Sequence, residues 1–113
     1  MDDRDDHVRK LLAERIAAAR VRLIGGLPDR MAEFAALAEA AAGDGPEAQA
    51  ARDALTRGLH GLAGSAPTIG LAALGARARA LEAALATQPP GRLTPEFSAG
   101  LVRDLEQLAS VAS

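Results

Sequence analysis

Few side chains in this chain can do covalent chemistry. Its 113 residues include no Cys, which excludes a thiolate nucleophile, a thiolate metal site and a disulfide framework. His7 and His60 are the only imidazoles, too few for a multi-histidine metal site within one chain. No G-x-x-x-x-G-K-[ST] or G-x-G-x-x-G run offers a phosphate-cradling loop. His7 follows the acidic start Met1-Asp2-Asp3-Arg4-Asp5-Asp6 and reads as a solvated terminal residue. That leaves His60 as the one candidate nucleophile.

The position of His60 on its helix makes it informative. Leu55, Leu59, Leu62 and Ala66 fall within a narrow arc at about 100° per residue, and His60 lies roughly 130° from its centre. Asp53, Arg57 and Gly64 share the side of His60. Glycine within a helix costs about 1 kcal/mol relative to alanine. In a chain that uses Ala freely, Gly64 one turn after His60 therefore calls for a reason. Removing a side chain there clears space over the imidazole for a bulky group or another protein. Gly61 adds a second clearance farther around the helix.

The elements that must present this histidine are all helical. Hydrophobic residues make up 49% of the chain, mostly Ala and Leu, and two Phe are the only aromatics. That mixture favours helices over sheets. From about Asp5 to Ala42, Val8, Leu12, Ile16, Ala19, Leu23, Leu27, Met31, Phe34, Ala38 and Ala41 repeat at three and four residues as one apolar face. Pro28 removes a backbone donor, so a kink or break near Gly25–Pro28 is expected, as one kinked helix or two collinear ones. Gly43-Asp44-Gly45-Pro46 is a stop and turn. A second helix follows from Glu47 to about Ala66, ended by Pro67, Thr68 and Gly70. The third spans about Leu71 to Ala86, with Leu71, Leu74, Ala78, Leu81 and Leu85 on one face. Gln88-Pro89-Pro90-Gly91 breaks the chain again. Thr94-Pro95 reads as an N-cap followed by proline at the first helical position. The fourth helix carries Phe97, Leu101, Leu105, Leu108 and Ala112 inward. None of these helices can bury its face alone, so an antiparallel four-helix bundle, with an N-terminal helical extension or kinked first helix, is expected as a single domain over residues 1–113, with residues 1–4 a flexible tail.

The run Leu59-His60-Gly61-Leu62-Ala63-Gly64-Ser65-Ala66, then Gly70 and Leu74, resembles the histidine phosphotransfer (HPt) domain family. Its signature is His-x-Leu-Lys-Gly-Ser-Ala followed by a Gly and a downstream Leu. His60, Leu62, Gly64, Ser65 and Ala66 match it residue by residue. Gly70, Leu74 and the Leu81-Glu82 pair fit the next helix, and Leu27-Pro28-Asp29-Arg30-Met31 is similar to a segment frequent in the long preceding helix. The resemblance spans roughly residues 11–111. One position departs: the family lysine before the glycine is Ala63 here. Arg57, three residues before His60, is the nearest substitute cation, with Arg77 or Arg79 on the third helix as further candidates.

The resemblance implies that His60 accepts a phosphoryl group from a receiver-domain aspartate and passes it to another receiver in a phosphorelay of two-component signalling. Its implied partners are response-regulator receiver domains and a hybrid histidine kinase. Phosphoryl transfer depends mostly on in-line positioning and charge neutralisation. The partner would bring Mg²⁺ and the aspartate, and this chain would need no cofactor of its own. Ala63, Gly64 and Pro67, being small or rigid, would let a partner helix pack closely, while Met31 and Phe34 are better explained by the core. Ser65 is expected to be structural, its hydroxyl bonding a carbonyl one turn back. Gly70 is expected to permit a close approach or a positive φ.

With the lysine missing, the rival reading is a helical adaptor that binds receivers without transferring phosphate. A histidine kinase acting alone is excluded by the absent ATP-binding half. A dimeric phosphotransferase built from two hairpins is disfavoured because four helical segments suffice for a closed monomer. A net charge of −2 gives no reason to expect nucleic acid. Charges interrupt every apolar stretch before about 20 residues, and the start lacks a signal-peptide pattern, so no membrane role and a cytoplasmic location are expected.

Overall fold

The computed structural model describes residues 3–111. Four helices follow one another: α1 (Asp3–Ala40), α2 (Glu47–Thr68), α3 (Ala72–Ala86) and α4 (Pro95–Val111). Neighbours pack in the cyclic order α1, α2, α3, α4 and back to α1. Each pair runs antiparallel, an all-α up-down-up-down bundle. Leu27, Leu55, Leu59, Leu62, Leu74, Leu85, Leu93 and Leu105 are the largest fully buried side chains at its centre.

Proline and glycine set the helix ends in the expected places. Gly43 to Pro46 turns the chain after α1, and Gly91 takes a positive φ of 98° between α3 and α4. Thr94 caps α4, its Oγ1 accepting from the Phe97 N–H at 3.1 Å, with Pro95 as the first helical residue. The Leu93 N–H donates to the Ala41 carbonyl at 2.8 Å, and the buried Ser98 hydroxyl donates to the Ala38 carbonyl at 2.8 Å. These bonds hold the start of α4 against the end of α1.

Two boundary expectations change. α1 is one uninterrupted helix through Pro28, and it includes Asp3 and Arg4, two residues of the expected tail. Met1, Asp2 and Ala112 lie outside the described residues. α2 continues through Pro67 to Thr68, where the Thr68 hydroxyl donates to the Ser65 carbonyl at 2.6 Å. A proline in the last turn loses one helical bond but leaves the turn intact.

The largest correction concerns the apolar face of α1. It is buried from Leu27 onward, but Val8 and Leu12 are exposed, and Ile16, Ala19 and Leu23 are only half-buried. The cause is length. At 1.5 Å per residue the 38 residues of α1 span about 57 Å, whereas the 22 of α2 span about 33 Å. Arg20 Nε donates to the Ile69 carbonyl at 2.8 Å, at the tip of the α2–α3 connection. Residues before it extend past the end of the bundle.

One buried charge fastens the opposite end. The Arg52 guanidinium on α2 donates to four backbone carbonyls: Leu85 (3.2 Å), Gln88 (2.9 Å), Pro89 (2.5 Å) and Gly91 (2.8 Å). Pro89 and Pro90 contribute no backbone donors to this loop, so an arginine from α2 satisfies its acceptors.

Candidate functional site

Two glycines set the position of α2 between its neighbours. A Cβ at Gly58 would lie 2.5 Å from the Phe34 ring, so glycine there lets α1 close on α2. A Cβ at Gly75 would meet the Pro67 ring at 2.5 Å and the Ala63 carbonyl at 3.3 Å, so α3 closes on the other flank of α2. Gly61 and Gly64 are different: a Cβ at either would meet nothing within 4 Å. The first pair makes close packing possible, and the second pair leaves an open surface.

His60 stands on that open surface, its side chain 78% exposed. Its Nδ1 lies 2.8 Å from Oε2 of Glu82, which reaches across from α3 and is 24% exposed. A carboxylate can only accept, so Nδ1 carries the hydrogen, and in the neutral ring Nε2 holds the lone pair. The arrangement is a rigid imidazole with one nitrogen tied to the scaffold and the other facing solvent, free to act as a nucleophile. Among the described residues no three His, Cys, Asp or Glu side chains cluster to hold a metal ion.

Arg57, one turn before His60 on the same face, is exposed and has no hydrogen bond or ion pair with the described residues. Ala63 is 3% exposed, covered by α3 at Gly75. It is therefore unavailable as part of a docking surface. Gly64 and Pro67 remain exposed, while Met31 and Phe34 belong to the core. Arg77 lines a groove toward α4 with Asp104, on the side of α3 away from His60. Arg79 follows Gly75 by four residues and precedes Glu82 by three, on the α2-facing flank.

Ser65 corrects another expectation. Its hydroxyl makes no hydrogen bond to a carbonyl one turn back; instead its own carbonyl accepts from Thr68, the hydroxyl nearer the helix end. Gly70 has the positive φ, 85°, with the Arg20 guanidinium packed against it. The role of Glu82 was not apparent from sequence. The available signal was a single carboxylate on a helix neighbouring His60, but periodicity does not set the register between two helices.

The model of the Hpt domain family matches residues 11–111. No curated protein and no solved structure matches the chain significantly. No helix among the described residues is long and apolar enough to cross a membrane. The matched span contains all of α2 to α4 and most of α1, together with His60, Glu82 and the glycines that frame them, and the chain belongs to the Hpt domain family, which takes part in His–Asp phosphorelays.

Proposed function

We propose that the chain is a phosphotransfer intermediate whose His60 takes a phosphoryl group from a receiver-domain aspartate and gives it to the aspartate of another receiver. The observation that carries this reading is the exposed imidazole with Nδ1 bonded to Glu82 and Nε2 open. In the forward step Nε2 attacks phosphorus, the N–P bond forms, and the aspartyl O–P bond breaks to release the carboxylate. The imidazole gains positive charge as it does so. Glu82 accepts the Nδ1 hydrogen bond and balances that charge, and the reverse step restores the neutral ring. Catalysis here is mostly positioning and electrostatics. The receiver supplies Mg²⁺ and in-line geometry.

Open space over Gly61 and Gly64 suits a second protein approaching along α2. Arg57 is the nearest cation on the same helical face and would take the part of the family lysine that Ala63 cannot play. A hybrid histidine kinase and response regulators of a cytoplasmic phosphorelay are the partners of this reading.

The test is transfer from a phosphorylated receiver. Acid-labile, base-stable label should appear on the wild-type chain and be absent from His60→Gln. Label on the His60→Gln variant would refute the assignment. Alanine at position 63, which leaves no lysine beside His60, supports a second reading as an adaptor. Receiver binding without label on the wild-type chain would select it.

A further inference from the structure

A closed bundle by itself calls for no partner, but α1 does. The exposed large apolar side chains among the described residues, Val8, Leu11, Leu12 and Val21, all lie on α1 before Gly25. At about 100° per residue Val21 and Leu11 lie on the side of α1 that carries Ala32, whereas Val8 and Leu12 lie on another face, and exposed apolar surface on a small protein marks an interaction site. Beyond Gly25 the same helix and α4 leave an apolar groove of about 440 Å³, floored by Pro28 and a run of alanines and carrying the carboxylates of Glu39 and Glu106.

Charge divides at the same place. Residues 3–24 hold six basic and four acidic side chains, and residues 25–111 hold seven and ten. A basic apolar segment and an acidic apolar groove thus sit on one continuous helix, where neither can reach the other within a molecule. Gly25 itself has nothing within 4 Å of a Cβ position, so no contact inside the chain offsets its helical cost of about 1 kcal/mol.

We infer that two copies pair through α1, antiparallel about a two-fold axis near Gly25. That operation lays the overhang of each copy along the groove of the other. Lys10, fifteen residues before Gly25, then meets the partner's Glu39, fourteen residues after it, and the contact occurs twice, as an isologous interface requires. Leu11, Ala18, Gly25 and Ala32 repeat every seven residues, as do Val21, Pro28 and Ala35, the seam spacing of paired helices. The seam runs on the α4 side of α1. Phe34 and Arg20 mark the α2 side, so His60 stays accessible in the pair.

Light scattering and sedimentation of the full chain over a wide concentration range test the inference. The mass should rise from 11.6 kDa toward twice that value. Lys10→Glu and Glu39→Lys should each weaken pairing by about 10-fold or more, and the double variant should restore it, with circular dichroism showing unchanged helicity. His60→Gln should pair like wild type, which separates this result from the transfer assay. A mass of 11.6 kDa at every concentration would overturn the proposal. A double variant no better than the singles would do the same. So would a monomer that instead floats with phosphatidylserine vesicles, which would assign the face to lipid.

Discussion

The two sides of α2 use the same residue types for opposite ends. On the inner side Arg52 is buried and gives its donors to four carbonyls, while on the outer side Arg57 is exposed with no partner among the described residues. Glycine divides the same way, filled against at Gly58 and open at Gly61 and Gly64. The inner side spends its polar groups on the fold. The outer side leaves polar groups and space unused, and that is where His60 stands. Stability and function should therefore respond to different substitutions on one helix.

The sharpest separation is His60→Gln. Phosphotransfer should be abolished, while denaturant unfolding changes by no more than about 0.5 kcal/mol, as for an exposed position. Arg52→Met should do the reverse, removing donors from buried or half-buried carbonyls and costing about 2–4 kcal/mol in urea unfolding, with the transfer rate of the folded fraction unchanged. Glu82→Ala should slow transfer about 10-fold, the equivalent of one charge-assisted hydrogen bond, with Glu82→Gln, which keeps an acceptor but not the charge, recovering only part of the rate. Gly64→Leu should block receiver binding, whereas Gly64→Ala should raise stability by up to about 1 kcal/mol because the added methyl meets nothing. The smallest effect belongs to Arg57→Ala, a two- to five-fold loss of transfer rate that salt reduces, about what an exposed charge supplies. If Arg57→Ala leaves transfer untouched at low salt, Arg57 is no substitute for the lysine.

Most of the architecture is legible in the sequence, because each helix carries its own periodicity and its own stop. The Pro and Gly clusters at 43–46 and 88–91 place the turns, and Thr94-Pro95 places the start of α4 to the residue. The side of α2 that carries His60 follows from helical geometry alone. What resists reading is anything that depends on two helices at once. Glu82 meets His60 through the register of α3 on α2, which Gly75 and Pro67 fix by contact. Ala63 lies at the border of the apolar arc, and only the approach of α3 decides that it is covered. Periodicity also carries through Val8 and Leu12 without revealing that α2 ends too soon to cover them. Arg52 looks like a surface charge until the proline-rich loop that it satisfies is folded beside it.

The overhang of α1 also governs how the molecule moves through water. The described chain measures 61 × 22 × 19 Å, with a radius of gyration of 17.0 Å against about 13 Å for a compact domain near this size. A rod of those proportions tumbles faster about its long axis than end over end. Amide bonds in α1 lie nearly along that axis, so their NMR relaxation will report the slow end-over-end rotation. The same elongation brings even a single copy early off a sizing column, where it would pass for a larger sphere. Friction and mass thus part company in this protein, and a hydrodynamic radius taken alone would count a partner that is only the length of one helix.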